Sequence, residues 1–479
     1  MRRLPLLLLM LVVAAHAMAG TGKIIIINSD APGQGFNDST PATAVPGNPG
    51  TTRGEQRLNV FLAAAEHWRK VIDTNVDIIA DARFPVIPGC TAEEAILGQA
   101  APQSWRENFP NAPKQNTWYP IALANKFANT DMEPSTTDIF VQFNSGLDNA
   151  TCLGATSWYY GLDGNAGNDV DLYMVVLHEL GHGLGISGAF SDPDFRGGHP
   201  SIFDTHAFDR SLGLRWDQMS RAQRQVSMTN TGNLVWDGPS TRDAAPRILE
   251  PATTLTITEP AALAGNFDIG RADFGGSVAG LLGRIVRASD EANTSGNSTT
   301  DACTALTNAS AIAGNVAFID RGSCTFVQKA RNAQTAGATA VIIGDRSASY
   351  SAENPPTCLP PGMHGEDADD ITIPIISIGI NDATNVNTQL TGSATIQGLL
   401  RSDPSQRAGA SSEGYVRLFA PCTLQPGSSV HHWDVTATPN LLMEPNINSD
   451  LLHDVDLTMY MLIDMGWTTR TGRRFLKRP

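Results

Sequence analysis

The chain has 479 residues, with 33 Lys and Arg against 48 Asp and Glu, giving a formal charge of −15. Hydrophobic residues make up 41% and charged residues 17%, a globular composition that excludes a disordered chain or a long coiled coil. The acidic balance excludes a non-specific nucleic-acid binder, which needs a Lys/Arg footprint, and 44 Gly with 29 Pro argue for loop-rich, strand-containing domains over a helical bundle.

In chain order, Arg2 and Arg3 precede a short apolar core from Leu4 to Ala15 and an A-x-A site at Ala17-Met18-Ala19. This pattern predicts a signal peptide over 1–19 and a secreted or periplasmic protein, since the apolar run is too short to span a bilayer comfortably. Cys90, Cys152, Cys303, Cys324, Cys358 and Cys422 then suggest three disulfides in an oxidising compartment. Fifteen pairings are formally open; the expected one is Cys90–Cys152, Cys303–Cys324 and Cys358–Cys422.

KIIIIN (Lys23–Asn28) is β-branched and reads as a strand. Gly54 to Asp73 reads as a helix with Leu58, Phe61, Leu62, Ala65 and Trp68 on one face. Val76 to Phe84 and Asp138 to Phe143 are further strand candidates.

The informative segment is DLYMVVLHELGHGLGIS (Asp171–Ser187). It holds H-E-x-x-H as His178, Glu179 and His182, inside an apolar run that predicts a buried helix capped by Asp169 or Asp171. Positions i and i+4 share a helix face, so the two imidazoles can bind one Zn²⁺. Glu179 follows the first ligand directly and can take a proton from a water activated by the metal. Upstream, DGNAGNDVD (Asp163–Asp171) alternates Asp and Asn, so a Ca²⁺ site is conceivable, although the closing Glu of an EF-hand loop is missing.

A catalytic zinc needs three protein ligands and one open position. The compact metzincin form H-E-x-x-H-x-x-G-x-x-H fails here, because Gly185 fits but Gly188 stands where the third His belongs. His199, His206 and Asp204 follow the motif closely and remain candidates. His67 is expected at the surface, and His453 at the surface or behind a ligand; His364 lies in a stretch of different texture. The stronger candidate is His432, in GSSVHHWDVTATPNLLMEP, with His431 as a neighbouring alternative.

That segment resembles the leishmanolysin-type metzincins, in which a distant His of an HW-type motif completes the metal site and a following Met lies beneath it. His432-Trp433 and Met443 carry the match, and LTMYMLIDMGW (Leu457–Trp467) is similar to the family's closing helix. GFND, TTRGEQR, HELGHGLG, SSVHHWD, LLMEP and DMGW together resemble bacterial exported proteins that join such a domain to an inserted protease-associated (PA) domain. The resemblance implies zinc ligands His178, His182 and His432, Glu179 as general base and acid, and Met443 as the supporting Met-turn.

From Pro251 to Leu400 the texture changes. GNVAFID and ATAVIIGD are buried parallel strand candidates around a helical stretch, and ITIPIISI (Ile371–Ile378) is another. This region resembles the PA domain at Arg321, Gly322, Cys324, Phe326, Lys329, Ala333, Gly337 and Ala338, which implies a non-catalytic unit contacting substrate or partner proteins. After Ser402, YVRLFAP reads as a strand and Leu457 to Met465 as a helix.

No G-x-S-x-G elbow and no phosphate-binding glycine loop occurs, so there is no case for a serine hydrolase or a nucleotide enzyme. The expectation is an α+β protein. A zincin-like metalloprotease domain in two parts, 20–250 and 401–479, is interrupted by the inserted PA domain at 251–400. Its expected function is a secreted zinc metalloendopeptidase, monomeric, acting on proteins or peptides through Glu-assisted attack of zinc-bound water, with no nucleic-acid partner and no membrane span. The alternative is a non-catalytic zinc-containing adhesion or binding protein.

Overall fold

The computed structural model of this chain describes residues 20–91, 95–149, 151–154, 156–188, 194–277, 282–292, 298–322, 324–350, 356–363, 365, 367–447 and 451–470. The expected signal peptide and His364 lie outside them.

The N-terminal part opens with β1 (Ile24–Asn28), helix α1 (Arg53–Val71), β2 (Ile78–Arg83), β3 (Gly98–Pro102), β4 (Ile139–Phe143) and helix α2 (Leu172–Gly183). The strands form one sheet in the order β1-β2-β4-β3. The pairs β1/β2 and β2/β4 are parallel, and β3 runs antiparallel to β4 along the edge. On β4 the side chains alternate, with Ile139, Val141 and Phe143 buried, as expected for a strand that covers a helix layer with one face.

α1 starts at a capping box in which Thr52 accepts from the Glu55 amide and the Glu55 carboxylate reaches back. Its buried face holds Val60, Phe61, Ala64, Ala65, Trp68 and Val71, so Phe61, Ala65 and Trp68 lie on the expected face, whereas Leu62 is 50% exposed. The physical reason is Arg57. It is buried, paired with Asp148, and donates to the Gly35 carbonyl and the Tyr160 hydroxyl. A charged residue with each guanidinium nitrogen hydrogen-bonded sits in the core stripe, and Leu62 is turned outward.

The middle of the chain supplies strands β5 (Pro251–Glu259), β6 (Gly265–Phe267), β7 (Gly270–Arg271), β8 (Leu282–Arg287), β9 (Val316–Asp320), β10 (Ala340–Gly344), β11 (Ile375–Ile378) and β12 (Ile396–Arg407). They form an eight-stranded sheet ordered β6-β5-β12-β8-β9-β10-β11-β7. The central four, β8 to β11, are parallel, and antiparallel strands flank them. Helix α3 (Phe326–Thr335) covers one face and α4 (Ile380–Thr391) the other. Ala317, Ile319, Val341 and Ile343 feed the α3 side, while Phe318, Ala340 and Ile342 feed the α4 side, which is why these strands read as unbroken apolar runs. β12 runs on to Arg407, past the position 400 expected for the boundary.

After this sheet the chain rejoins the first core. A single hydrophobic cluster gathers Phe36 to Leu249 together with Ala410 to Trp467. The expected strand Tyr415–Pro421 shrinks to Val416–Arg417, which pairs with Leu234–Trp236. The following residues are committed elsewhere: Leu418 bridges to Trp433, and Phe419 bonds both Val430 and His432 through the backbone. Helix α5 (Asp456–Met465) closes the core. Among the described residues no helix is long and apolar enough to cross a membrane.

The three disulfides are Cys90–Cys152, Cys303–Cys324 and Cys358–Cys422, the expected pairing. Cys358–Cys422 fastens the middle unit to the returning segment. It closes a loop with a sequence separation of 64, for which chain entropy alone gives about 4 kcal/mol. Replacing both cysteines by serine should therefore lower the unfolding free energy in urea by up to about 4 kcal/mol, with the folded-state far-ultraviolet spectrum unchanged.

Candidate metal centre

α2 is buried along its whole length. Of the two expected caps the structure uses Asp171, whose Oδ1 accepts from the Tyr173 amide, while Asp169 bonds Ser157. Two indoles hold the helix carbonyls: Trp68 donates to Leu177 O and Trp467 to Leu184 O. Met443 lies against the helix at Gly181, where a Cβ would meet its Sδ at 2.9 Å. Glycine at 181 is therefore what lets the Met443 turn approach the helix.

His178, His182 and His432 converge. Their Nε2 atoms stand 3.1, 3.2 and 3.3 Å apart. Each Nδ1 faces a backbone carbonyl: His178 faces Leu442 O at 2.7 Å, His182 faces Ile186 O at 2.6 Å, and His432 faces Ser428 O at 2.7 Å. A carbonyl only accepts, so all three protons belong on Nδ1. The three Nε2 atoms then meet as bare lone pairs with no hydrogen to share. Burial also keeps the rings neutral, pushing His178 down to about 3, His182 to about 4 and His432 well below its ordinary value. Three acceptor atoms turned on one another are stable only around a cation. Tetrahedral coordination at about 2.05 Å sets ligand nitrogens about 3.3 Å apart, the spacing found here. The donor set thus fits Zn²⁺. Among the described residues this is the one group of three potential ligands with their atoms within 4.8 Å of one another.

Glu179 lies between the two helix histidines in sequence, one residue after His178. It is 6% exposed, and burial pushes its carboxyl up to about 8. A Cβ on Gly98 would lie 3.0 Å from its Cγ and Oε1, so Glu179 lies beside edge strand β3.

The other candidates are placed elsewhere. His431 packs on Phe203 at 4.9 Å, on the Asp204 side. Asp204 accepts from the Ser201 amide, His199 pairs with Glu107, and His206 faces Asp237. His67, expected at the surface, is mostly buried and bonds the Tyr173 hydroxyl at 2.8 Å. His453 bonds the second oxygen of Asp171, the helix cap. In the conceived Ca²⁺ loop the carboxylates are hydrogen-bonded within the chain: Asp163 to Tyr159 and Asn165, Asp169 to Ser157, and Asp171 to the helix and His453.

What the sequence alone does not reveal is the set of supporting carbonyls at Leu442, Ile186 and Ser428, since any residue can supply one. Gly185 is the partial exception. Its φ of +126° turns the chain after α2 so that Ile186 O returns to His182, and a Cβ there would meet Pro120 Cγ at 2.8 Å. Gly185→Ala should cost more than about 1 kcal/mol in chemical denaturation and weaken zinc binding, because the carbonyl that orients His182 moves with the turn.

Residues 282–386 match the family described as PA domain. The chain carries a PA domain. Its matched residues span the parallel core β8 to β11, helix α3 and the first part of α4. Residues 49–236, which include α1 and α2, match a second family described as SPBPB7E8-like. Two curated relatives are both described as ER degradation-enhancing alpha-mannosidase-like protein 3. The one from Homo sapiens is 43% identical over 74 residues, 15% of this chain and 8% of that protein. The one from Xenopus laevis is 35% identical over 104 residues, 22% and 10%. The chain spans about a tenth of the length of these relatives. Among solved structures, BSAP, a zinc aminopeptidase from Bacillus subtilis, covers 35% of each chain at 19% identity with a TM-score of 0.22. A peptidase M28 precursor from Shewanella amazonensis covers 32% of this chain and 36% of its own at 18% identity and 0.21. Overlaps this poor carry no argument about the metal centre. The PA domain and three disulfides fit an extracellular or luminal protein.

Proposed function

We propose that this protein is an exported zinc-dependent metalloendopeptidase of zincin architecture, related in its metal site to the leishmanolysin type. Its catalytic domain is in two pieces, 20–250 and 401–479, on either side of the PA domain. The observation that carries this reading is the meeting of three bare Nε2 atoms, from His178, His182 and His432, next to a buried glutamate.

When bound, zinc supplies Lewis acidity, which lowers the pKa of water and polarises a carbonyl. The chain's own groups do the rest. His178, His182 and His432 hold the ion, each fixed in its tautomer by a carbonyl. Glu179 takes a proton at its carboxylate as water attacks the scissile carbonyl and returns it to the leaving amine. Met443 packs beneath α2 and passes its own carbonyl to the Trp433 amide at 2.7 Å, tying the third-ligand segment to the turn below the helix. β3, hydrogen-bonded to β4 and lying at the edge of the sheet beside Glu179, offers its outer backbone to an extended substrate segment. A substrate segment held by backbone pairing along an edge strand suits cleavage inside a polypeptide. The PA domain is tied by Cys358–Cys422 to the segment that leads into His432, which supports a role for it in contacting protein or peptide substrates or partners.

The test is digestion of casein or gelatin by purified protein, with and without 1,10-phenanthroline, followed by zinc readdition. Chelator-sensitive cleavage restored by zinc supports the reading. Zinc bound at one per chain with no hydrolysis of any polypeptide overturns it in favour of a binding protein.

A further inference from the structure

The proposed catalytic machinery stops at the three carbonyls that orient the imidazoles. One of them is itself held by a charged side chain that no motif singles out. The His178 proton is received by Leu442 O at 2.7 Å, and the Leu442 amide donates to Asp456 Oδ2, also at 2.7 Å. The other oxygen of Asp456 accepts from the amide and hydroxyl of Thr458, both at 3.0 Å. Leu442 is fully buried. The neighbouring amide, Leu441 N, is taken by the buried carboxylate of Glu444, so the turn that carries the carbonyl is gripped at consecutive amides.

The backbone at Asp456 carries a second sign. Its φ is +33° at the first residue of α5. Non-glycine residues seldom occupy the left-handed region, and such strain persists only where the surroundings over-determine it. An ordinary helix start places its capping side chain one residue earlier and accepts only from its own helix. Here the side chain is split between its own helix and a turn fourteen residues upstream, and that turn supports a proposed metal ligand.

We propose that Asp456 is a positioning residue for the metal centre: its carboxylate fixes the Leu442 carbonyl and, through it, the orientation of the His178 ring. This rests on the metal-centre reading above. Hydrogen-bonded partners behind a ligating imidazole commonly contribute 10–100-fold to metal affinity. Asn at 456 keeps the shape but presents an oxygen on one side only, so either the Leu442 amide or Thr458 loses its acceptor.

The test is zinc affinity, by competition with a chromophoric chelator, together with the visible spectrum of the Co²⁺-substituted protein. Both are measured well below the unfolding temperature on the parent, Asp456→Asn and Met461→Ala. Met461 is a fully buried residue of the same helix that makes none of the relay's hydrogen bonds, so its replacement lowers the melting temperature and leaves those bonds in place. Asp456→Asn should bind zinc at least about 10-fold more weakly and alter the Co²⁺ bands, while Met461→Ala matches the parent in both. Asp456→Asn within two-fold of the parent, with unchanged Co²⁺ bands, overturns the proposal and leaves Asp456 a helix cap. If Asp456→Asn does not fold, the parent decides: zinc should shift the ¹³C carboxyl resonance of Asp456 but not that of Asp209, which bonds Ser211 and Asn230. An Asp456 resonance that ignores zinc overturns it equally. A parent that binds no zinc sinks the metal-centre reading itself, a result distinct from a parent that binds zinc and a variant that binds it as well.

Discussion

Replacing His432 by alanine is expected to remove zinc and peptidase activity together, whereas His431→Ala should leave both within a few-fold of the parent. The two residues are neighbours, but only one Nε2 joins the cluster, 3.2 Å from His182 and 3.3 Å from His178. His431 is turned towards Phe203. Two imidazoles on a helix leave a tetrahedral ion short of its third protein ligand. The loss should exceed the 10–100-fold that follows from removing an outer partner, so the purified variant should contain little zinc. Atomic absorption on dialysed samples, paired with casein digestion, makes the comparison. A His432→Ala protein with full zinc, or a His431→Ala protein without it, would displace the assignment.

The second large effect is expected at Glu179. Glu179→Gln should retain zinc but lose about 10²–10⁴-fold in turnover, because a carboxamide keeps the shape and cannot take the proton. The fold should tolerate the change well. The position is nearly inaccessible, and a neutral amide is cheaper to bury than a carboxylate. The melting temperature of the variant should therefore match or exceed that of the parent. Activity surviving the substitution would remove the glutamate from the mechanism, and loss of the metal would instead make Glu179 structural.

The helical half of this site is legible in the sequence because its information is local. His178 and His182 are one turn apart, and the apolar residues around them predict a buried helix whatever the rest of the chain does. The third member is legible only through the H-W and Met pattern, and its register depends on backbone pairing at Phe419, Val430 and His432 that no residue identity encodes. The supporting carbonyls are silent for the same reason. In the fold, strands β9 to β11 are plain as unbroken apolar runs, since both of their faces are covered. The face of α1 is harder to read. The hydrophobicity pattern gives both Leu58 and Leu62 to the core, while the structure packs Leu58 partly against it, turns Leu62 outward and buries Arg57 against Asp148. Partners far along the chain decide such positions, and they are not visible one helix at a time.

The ligands on α2 and the third imidazole are 250 residues apart, with the whole eight-stranded sheet between them. A polypeptide emerges from the ribosome from its N-terminus, and domains fold as they appear. The nascent chain therefore presents a two-histidine helix until the segment carrying His432, 250 residues further on, has been made. Fragments that stop before His432 lack the third imidazole, so the proposed zinc site can form only once the segment returning to the first core has been made.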